Sequence, residues 1–512
     1  MIPVFLPILS AVLLALSFSS FNLGWLAWCG FIPLFIGLEN KMLRLALLVA
    51  FFWGVVFWSL TVYWLIHVTL LGQIILILYL AIYFGLFGGI IYFSRFLPVY
   101  RRLFFLPSSW VLLEYLRSYL FTGLPWALIG FSQYRNLGII QIADITGAWG
   151  VCFLVVFTNT ALYLFFRRQA GIKIILIFIA LLLVSLGYGF IRLTDQPNES
   201  NGQKQVKISV VQGNILQDLK WERRAAAFIQ DRYRRLTVAC AMDKPALIIW
   251  PESSVPGLWG RDEDEFIQVL ALARQLDTNL LVGAVSYFNQ NYFNSALLVD
   301  QTGSAVAIYS KLHLVPFGEY VPLKNIFPFL ETIAPIGDIT PGREYTIFKL
   351  YPALSHLGIK DCQVRPCRVE RPQPADFGVL ICFEDLFPEL SRQFIKRGAR
   401  FLVNITNDAW YKEGSAPYQH FAASVFRSVE NRVYLARAAN TGISGFIDPA
   451  GRILGIVRDA QGKEIFVEGY LSQNIYLAPV RRTIYNRYGD FFIVFCLALD
   501  ACVIILSLRH KP

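Results

Sequence analysis

Charged residues are scarce in this chain. Asp, Glu, Lys and Arg together make up 16% of its 512 residues, whereas hydrophobic residues make up 56%. Soluble globular proteins average about 25% charged residues, so this composition argues against an ordinary soluble protein and favours an integral membrane protein. The length is sufficient for one membrane unit and one further domain of ordinary size.

Cysteine pairs of the kind that bind metals are also missing. None of the eight cysteines forms a C-x-x-C pair, and four of them lie inside apolar segments, namely Cys29, Cys152, Cys496 and Cys502. Cysteines in such segments are typical of small core residues. The sequence therefore predicts no metal site, and we expect no other cofactor.

Positive charge, in contrast, is in excess, with a formal net charge of +11. In a soluble protein this excess would suggest nucleic acid as a partner. Here the basic residues stand mostly in loops beside apolar runs, where membrane topology and lipid headgroups account for them. We therefore expect membrane lipid as a partner and no nucleic acid.

Charge-poor runs long enough to cross a bilayer, roughly 17–25 residues each, recur along the N-terminal part of the chain. Seven are predicted near residues 3–20, 23–39, 45–69, 73–94, 103–121, 140–166 and 172–192, and an eighth near 490–508. The sequence thus predicts a polytopic α-helical membrane domain of about eight spans. The predicted boundaries are 1–193 for the N-terminal membrane domain, 204–485 for a second domain and 489–508 for a C-terminal span.

The distribution of Lys and Arg among short loops predicts the orientation. With the N-terminus in the cytoplasm, the loops after the second, fourth and sixth spans and the C-terminal tail are all cytoplasmic. These segments hold most of the basic loop residues: Lys41, Arg44, Arg95, Arg101, Arg102, Arg167, Arg168, Lys173, Arg509 and Lys511. Both termini are therefore expected in the cytoplasm, with residues from about 194 to 488 on the outer face.

Residues 204–485 have the pattern of an α/β domain. Short β-branched or apolar runs bounded by turn residues alternate with stretches of helical periodicity. The predicted strands are Val206–Val211, Ala246–Trp250, Leu280–Val285, Ser295–Asp300, Val379–Cys382 and Phe401–Ile405. The predicted helices include Glu263–Leu276 and Gln419–Ala436. This alternation favours a layered α/β fold.

A carboxylate follows the second of these predicted strands. The segment IIWPE (248–252) places Glu252 at the rim of the sheet. Partial desolvation there makes a carboxylate a usable general base. An ordinary solvated glutamate after a strand explains the same pattern, because most surface carboxylates have no other role. The motif alone does not decide between the two.

A lysine follows a strand-like run in the segment YSKLHLVPFGEY (309–320). A lysine beside a reacting carbonyl stabilises the oxyanion that develops there, so Lys311 is a candidate for that role. The alternative is a solvated lysine at a strand end. His313 in the same segment is interpreted as a structural histidine rather than as a catalyst.

A cysteine ends a buried strand in the segment GVLICFEDLFP (378–388). Cys382 stands where apolar sequence gives way to acidic residues, the usual place for a nucleophile. A neighbouring lysine would lower the pKa of its thiol, and a glutamate would accept its proton. The alternative is a buried structural cysteine, which is common.

The three motifs together are far more specific than any one of them. A Glu after WP, a Lys in SK-x-H-LVPFGE and a Cys in ICFED, in that order within one α/β domain, resemble the carbon–nitrogen hydrolase (nitrilase) superfamily. With seven predicted spans before the domain and one after it, the chain resembles the apolipoprotein N-acyltransferase family, the last enzymes of bacterial lipoprotein maturation. The resemblance covers nearly the full length. It implies an α-β-β-α sandwich of nitrilase type for the second domain.

The resemblance implies a role for each matching residue. Cys382 is the nucleophile, Glu252 is the general base, and Lys311 stabilises the oxyanion and the thiolate. Glu319 and Glu384 match acidic residues that support this centre. The implied enzyme is a phospholipid-dependent N-acyltransferase that works through a thioester.

Aromatic residues in matching stretches are candidates for lipid binding. Trp221 and Trp410 fall where the family has tryptophans near the lipid pocket, although core or interfacial aromatics explain them equally well. A thioester needs an apolar cover against water, and the stretches Phe327–Phe329 and Trp410–Tyr411 are candidates for it.

Two features depart from the family pattern. Phe383 follows the nucleophile where many members have tyrosine, so a phenolic hydroxyl is missing there. Cys362 and Cys367 lie in a Pro- and Arg-rich insertion, Lys360–Asp376, that is peculiar to this sequence. The expected outer-face location of this insertion permits a disulfide between them.

The implied reaction joins two lipid substrates. A membrane phospholipid donates the acyl group, and the N-terminal α-amine of diacylglyceryl-cysteine in an apolipoprotein accepts it. The resemblance places this enzyme, as a monomer, in the bacterial inner membrane with its catalytic domain on the periplasmic face.

Two other function classes share parts of the pattern. A membrane-anchored amidase or nitrilase has the same centre but transfers the acyl group to water. A non-enzymatic transporter or scaffold with a degenerate domain is disfavoured by the intact Glu252, Lys311 and Cys382. It is also disfavoured because few charges within the spans could line a pathway.

Overall fold

The computed structural model describes residues 2–18, 20–194, 204–220, 222–321, 338–351, 374–477 and 482–509. The chain divides into two compact units. The helical unit comprises Met1–Asp195, Gly414–Glu430 and Thr483–Pro512, and the sheet unit comprises Gln196–Glu413 and Asn431–Arg482. A segment from inside the predicted second domain, Gly414–Glu430, thus belongs to the helical unit.

The described residues form fifteen α-helices and thirteen strands. The helices are α1 (Ile2–Leu16), α2 (Ile32–Gly37), α3 (Leu43–Thr61), α4 (Leu70–Ser94), α5 (Val99–Tyr119), α6 (Leu137–Ile140), α7 (Ala143–Thr146), α8 (Ala148–Phe166), α9 (Ile172–Thr194), α10 (Ala226–Ala241), α11 (Glu263–Gln275), α12 (Pro388–Lys396), α13 (Ala416–Asn431), α14 (Ile484–Tyr488) and α15 (Phe491–Arg509). The strands are β1 (Lys204–Gln212), β2 (Leu247–Ile249), β3 (Leu258–Trp259), β4 (Asn279–Phe288), β5 (Asn291–Val299), β6 (Ala305–Ser310), β7 (Phe348–Leu350), β8 (Ala375–Ile381), β9 (Phe401–Thr406), β10 (Tyr434–Ala439), β11 (Gly445–Ile447), β12 (Ile453–Ile456) and β13 (Gly469–Leu477).

Five helices of the described chain are long and apolar enough to cross a membrane, namely α3, α4, α8, α9 and α15. They coincide with five of the predicted spans. Helix α8 begins at Ala148, later than the predicted start of its span near residue 140, because Gly147 takes a left-handed φ of 67°. Glycine is required at this position, since a Cβ there would lie 2.6 Å from the ring of Tyr485.

The other three predicted spans correspond to less regular elements. Helix α1 has 15 residues and contains Pro7. The run near 23–39 is divided between a 3₁₀ helix, Gly24–Trp28, and the six-residue α2. Helix α5 has 21 residues but includes Glu114 and Arg117, which are both buried. That these elements cross a membrane stays a prediction.

Aromatic rings and small residues pack the helical unit. The ring of Phe31 lies 5.7 Å from that of Trp53 and 4.8 Å from that of Trp110. Helices α3 and α4 approach closely at glycines: a Cβ added to Gly54 would lie 2.6 Å from Phe84 Cβ. Small residues at helix contacts are what allow such close packing in membrane proteins.

One glutamine holds α13 in the helical unit. Gln419 accepts hydrogen bonds from the indole N–H groups of Trp64 and Trp126, at 3.2 and 2.7 Å. Its Nε2 donates to the carbonyl of Thr61 at 3.0 Å. Because these groups are buried, removing the Gln419 amide would leave several of them unsatisfied, which is costly.

The sheet unit contains two sheets. The first has the strand order β13-β1-β2-β4-β5-β6, with β3 paired to β4, and the second has the order β12-β11-β10-β9-β8-β7. Strands β1, β2 and β4 are parallel, as are β8, β9 and β10. The sheets face each other where β1 packs on β10 and β5 packs on β8.

Helices cover the outer faces of these sheets. The buried residues of α10 and α11 form one apolar core with β1, β2, β4 and β5. Helix α12 packs on β8, where the ring of Phe394 fits against Gly378. The described residues of this unit therefore form the predicted α-β-β-α sandwich.

The predicted strands all overlap observed ones, but one helix prediction is partly wrong. Helix α13 ends at Asn431, and the last residues of the predicted Gln419–Ala436 helix, from Tyr434 onward, belong to β10. Arg432 has a left-handed φ of 54°, which ends the helix. Pairing with β9 then overrides the apparent helical period, because tertiary packing outweighs local propensity.

Candidate active site

Glu252 lies in a tight turn after β2. The adjacent Ser253 has a left-handed φ of 46°, and the amide of Ser254 donates to the carbonyl of Gly283 on β4 at 2.8 Å. A Cβ on Gly283 would lie 2.3 Å from the carbonyl oxygen of Pro251 and 2.6 Å from Glu252 Cα. Glycine on β4 therefore allows the turn to fold back, and the carboxyl group of Glu252 is buried.

Lys311 follows β6 and is almost fully buried. Its backbone amide donates to the carbonyl of Asn294 on the neighbouring strand β5 at 2.8 Å, which fixes the point where the chain leaves the sheet. The Nζ atom lies 2.7 Å from Glu319 Oε2 and 3.9 Å from Glu252 Oε1. One ammonium group is thus shared by two carboxylates.

Asn294 joins the same two carboxylates from the other side. Its Nδ2 donates to Glu252 Oε1 and to Glu319 Oε1, each at 2.7 Å. Glu319 also accepts from the backbone amide of Val315 at 2.8 Å. Hydrogen bonds to ionised groups are stronger than neutral ones, so this arrangement fixes Glu252 and Glu319 in one geometry.

Cys382 lies immediately after β8, at the end of a buried strand. Its φ of 52° is in the left-handed region, which is strained for a residue other than glycine and turns the chain sharply into the 3₁₀ helix Cys382–Leu386. Asn404 on β9 donates to the carbonyls of Leu380 and Cys382, at 3.2 and 3.3 Å. The backbone around the sulfur is therefore held on both sides of the turn.

Opposing effects set the pKa of the Cys382 thiol. A neighbouring lysine was expected to lower this pKa, and Lys311 acts in that direction, but the pKa is raised overall. Burial has the largest effect, the negative charge of Glu252 adds to it, and Lys311 offsets only part. Lys311 cannot do more because it is already paired with carboxylates. The thiol is therefore protonated at rest and needs a base before it can attack.

Lys311 is a permanent cation in this environment. Burial alone would lower its pKa, but the charges of Glu319 and Glu252 raise it above the ordinary lysine value. A positive charge that persists at all physiological pH values suits the stabilisation of an oxyanion.

Glu384 lies near the nucleophile but its carboxylate is occupied by structural hydrogen bonds. It accepts from the backbone amides of Leu312, His313 and Ile381, at 2.7, 3.1 and 2.8 Å. The hydroxyl of Tyr309 donates to it at 2.9 Å. Burial raises the pKa of Glu384 to about 7, against the effect of these donors and of the Lys311 charge. Glu384 thus joins the Lys311 loop to the end of the nucleophile strand.

A buried arginine that was not among the predicted site residues links two loops at the site. Arg437 on β10 donates to Asp385 Oδ2 at 2.8 Å, and its other terminal nitrogen lies 3.4 Å from Asp408 Oδ2. All three side chains are fully buried. Asp385 belongs to the turn of the nucleophile and Asp408 begins the 3₁₀ helix Asp408–Tyr411. The sequence feature that could have identified it is an arginine within the otherwise apolar strand YLARAA.

The candidate lipid-contact residues are only partly described. Trp410 is 47% exposed, and its role in lipid binding stays a prediction. Burial raises the pKa of the neighbouring Tyr411, and the charges of Cys382, Asp408, Glu252 and Glu319 add to the rise. Trp221, Phe327–Phe329, Cys362 and Cys367 lie outside the described residues, so their predictions stay untested.

The geometry supports nucleophilic acyl chemistry. A buried thiol, a carboxylate and a permanent cation lie together, and within the described ranges no group of three or more His, Cys, Asp and Glu is arranged to hold a metal ion. Such a site can form a thioester, with a base for the thiol proton and a positive charge for the oxyanion.

Comparisons with known proteins agree with this chemistry. A family model described as carbon-nitrogen hydrolase matches residues 207–482, and another, described as apolipoprotein N-acyltransferase N-terminal domain, matches residues 10–161. A protein of Geobacter metallireducens named apolipoprotein N-acyltransferase is 38% identical, over 98% of this chain and 95% of its own length. Proteins of the same name from Chlorobaculum tepidum and Rickettsia prowazekii are 30% and 32% identical, over 99% and 80% of this chain and 97% and 80% of their own lengths.

Among solved structures, an amidase of the nitrilase superfamily from Nesterenkonia aligns with the chain. The alignment covers 57% of this chain and 97% of the amidase, with a TM-score of 0.39 and 17% sequence identity.

Proposed function

This chain belongs to the apolipoprotein N-acyltransferase family, and we propose that it transfers a fatty acyl group from a membrane phospholipid to a lipoprotein. The acceptor is the N-terminal α-amine of diacylglyceryl-cysteine. The observation that carries the proposal is the meeting of Cys382, Glu252 and Lys311 in a chain that is related to these enzymes over nearly its whole length.

The first half of the reaction forms a thioester. Glu252 takes the proton of the Cys382 thiol as the sulfur attacks an ester carbonyl of the phospholipid. Lys311 stabilises the negative charge that develops on the carbonyl oxygen. When the tetrahedral intermediate collapses, the carbon–oxygen ester bond breaks, and the lysophospholipid leaves with the proton that Glu252 held.

The second half passes the acyl group to the amine. The neutral α-amine attacks the thioester carbonyl, and Lys311 again stabilises the oxyanion. Glu252 takes a proton from the attacking nitrogen, the carbon–sulfur bond breaks, and an amide is released. The proton then returns to Cys382, which restores the resting thiol.

The setting of this reaction is a membrane, because both substrates are lipids. The apolar helices and the N-terminal family match make this a membrane protein. We propose that it works as a monomer in the bacterial inner membrane, with both termini cytoplasmic and the catalytic residues on the periplasmic face. A cysteine at position 200 should react with an impermeant reagent in intact spheroplasts; reaction only after permeabilisation would refute this orientation.

A product assay tests the proposed function directly. Purified protein receives a phospholipid with a labelled acyl chain and a synthetic diacylglyceryl-peptide. We expect labelled N-acyl peptide and lysophospholipid in equal amounts. Labelled free fatty acid without acylated peptide would favour a hydrolase instead. If the label appeared neither in the peptide nor in free fatty acid, an acyl-transfer enzyme would be refuted.

A further inference from the structure

A second lysine lies beside the general base and takes no part in the steps above. Lys220 belongs to the loop between β1 and α10, and its buried Nζ donates to the backbone carbonyl of Glu252 at 2.9 Å. A lysine has three N–H donors, so this carbonyl uses only one of them. Burying an ammonium group costs free energy unless opposite charge or hydrogen bonds compensate, which makes its location informative.

The loop that carries Lys220 is anchored to the sheet of the nucleophile. Asn440, which follows β10, accepts from the amide of Ile215 at 2.9 Å and donates to its carbonyl at 2.6 Å. Asn407, which follows β9, donates to the side chain of Gln217 at 2.8 Å. Lys220 is therefore held in place independently of its own ammonium group.

The turn that Lys220 contacts is also held by β4. Gly283 lies against the backbone of Pro251 and Glu252, as described above. With contacts to both β4 and the Lys220 ammonium, the Glu252 peptide has little freedom to rotate. Since the peptide orientation sets the direction of the side chain, Lys220 influences where the carboxylate points.

The charge of Lys220 also acts on the reacting groups. The negative charges of Glu252 and of the Cys382 thiolate favour its charged form. Electrostatic coupling is reciprocal, so the charged lysine favours the thiolate equally. Tyr233 of α10 is a titratable group near it, and both residues line a cavity of about 10 Å³ together with Ser253 and Ser254.

We propose that Lys220 is a positioning residue for acyl transfer: its ammonium orients the Glu252 peptide, and its positive charge favours the Cys382 thiolate when the thiol proton moves to Glu252. The inference rests on the proposed function. The two lysines then have different roles. Lys311 balances the negative charge of the carboxylates and stabilises the oxyanion, whereas Lys220 orients Glu252 and favours the thiolate.

The proposal predicts a specific pH dependence. Burial lowers the pKa of Lys220 to about 8, although Glu252 and Cys382 act in the opposite direction. Lys220 is therefore charged below pH 8 and loses its charge as the pH rises through that value. Formation of the thioester, which involves no substrate amine, should slow as Lys220 becomes neutral.

The test compares Lys220→Met and Lys220→Arg with wild type. Lys207→Met is the matched control, because Lys207 on β1 also donates to a backbone carbonyl at 2.9 Å, that of Asp243, which follows α10. Two rates are measured from pH 6 to 10 by intact mass: acylation with phospholipid alone, and alkylation of Cys382 by iodoacetamide. Thermal unfolding checks that each variant is folded.

Lys220→Met should slow both rates about tenfold at pH 7, the effect of losing one nearby charge. It should also abolish the decline near pH 8. Lys220→Arg should slow acylation less than Lys220→Met and should also lose that decline, since arginine stays charged. A folded Lys220→Met with wild-type rates, or with slowing matched by Lys207→Met, would overturn the inference. Alkylation needs no lipid, so it tests the role of Lys220 even if the wild-type protein is not acylated by phospholipid. A failure of wild-type acylation would count against the proposed function alone.

Discussion

Asn294 offers the sharpest perturbation of the catalytic centre, because one side-chain amide joins both carboxylates. Replacing Asn294 by Ala removes two hydrogen bonds to ionised groups, those to Glu252 and Glu319. A hydrogen bond to a charged group contributes about 1.5–3 kcal/mol. If the hydrogen bond from Asn294 orients the Glu252 carboxylate, loss of this bond should slow acylation about 10- to 100-fold, since about 1.4 kcal/mol corresponds to a tenfold change in rate.

Asn294→Asp changes the charge as well as the bonds. A third carboxylate would lie at hydrogen-bond distance from Glu252 and Glu319, with Lys311 as the shared cation. Repulsion between two such charges is about 6 kcal/mol at 2.7 Å and an effective dielectric constant of about 20. The cluster will therefore retain a proton that it normally releases. When Glu252 holds that proton it cannot act as a base.

The assay is the rate of acyl-enzyme formation against pH, followed by intact mass with phospholipid as the sole substrate. Asn294→Ala should lower the rate at every pH, whereas Asn294→Asp should lower it most at acidic pH and recover as the pH rises. Asn291→Asp is the matched control, because Asn291 is exposed at the start of the same strand. Wild-type rates in Asn294→Asp, or equal slowing in Asn291→Asp, would refute this role.

Three further predictions concern the base, the turn that carries it and the buried arginine. Glu252→Gln should slow thioester formation about 10²-fold or more while the protein stays folded, and an unchanged rate would assign the base elsewhere. Gly283→Ala should also slow it, because the added methyl group would displace the Glu252 turn, whereas Gly187→Ala, where nothing lies within 4 Å, should not; equal rates in the two variants would contradict the packing argument. Arg437→Met should lower the free energy of unfolding by about 3–5 kcal/mol, as expected when one partner of a buried ion pair is removed. Arg458→Met, at an exposed pair with Glu464, should change it by about 1 kcal/mol or less, and similar melting temperatures would refute the distinction.

Strand-end residues were the part of the site that the sequence predicted best. Glu252, Lys311 and Cys382 each follow a short apolar run, and each of those runs is a strand or overlaps one in the structure. Strand ends can be recognised in the sequence because the apolar run of a buried strand stops where polar residues begin. The catalytic roles of these residues stay predictions until they are tested.

Residues inside strands were harder to predict as parts of the site. Asn294 and Arg437 are polar residues within buried strands, and a sequence does not reveal which partners a buried polar group meets across a sheet. The net rise in the pKa of Cys382 was not predicted, for a similar reason. Its value depends on total burial and on how Lys311 divides its charge, and both arise only from tertiary packing.

The central claim is that Cys382 carries the acyl group as a covalent thioester. Wild-type protein and Cys382→Ser are incubated with phospholipid alone, digested, and analysed by mass spectrometry before any amine is added. The account predicts one acyl mass on the peptide containing Cys382 in wild type and none in Cys382→Ser, because serine has a much higher pKa and cannot supply the nucleophile. Acylation of another residue, or undiminished acyl transfer to peptide by Cys382→Ser, would contradict it.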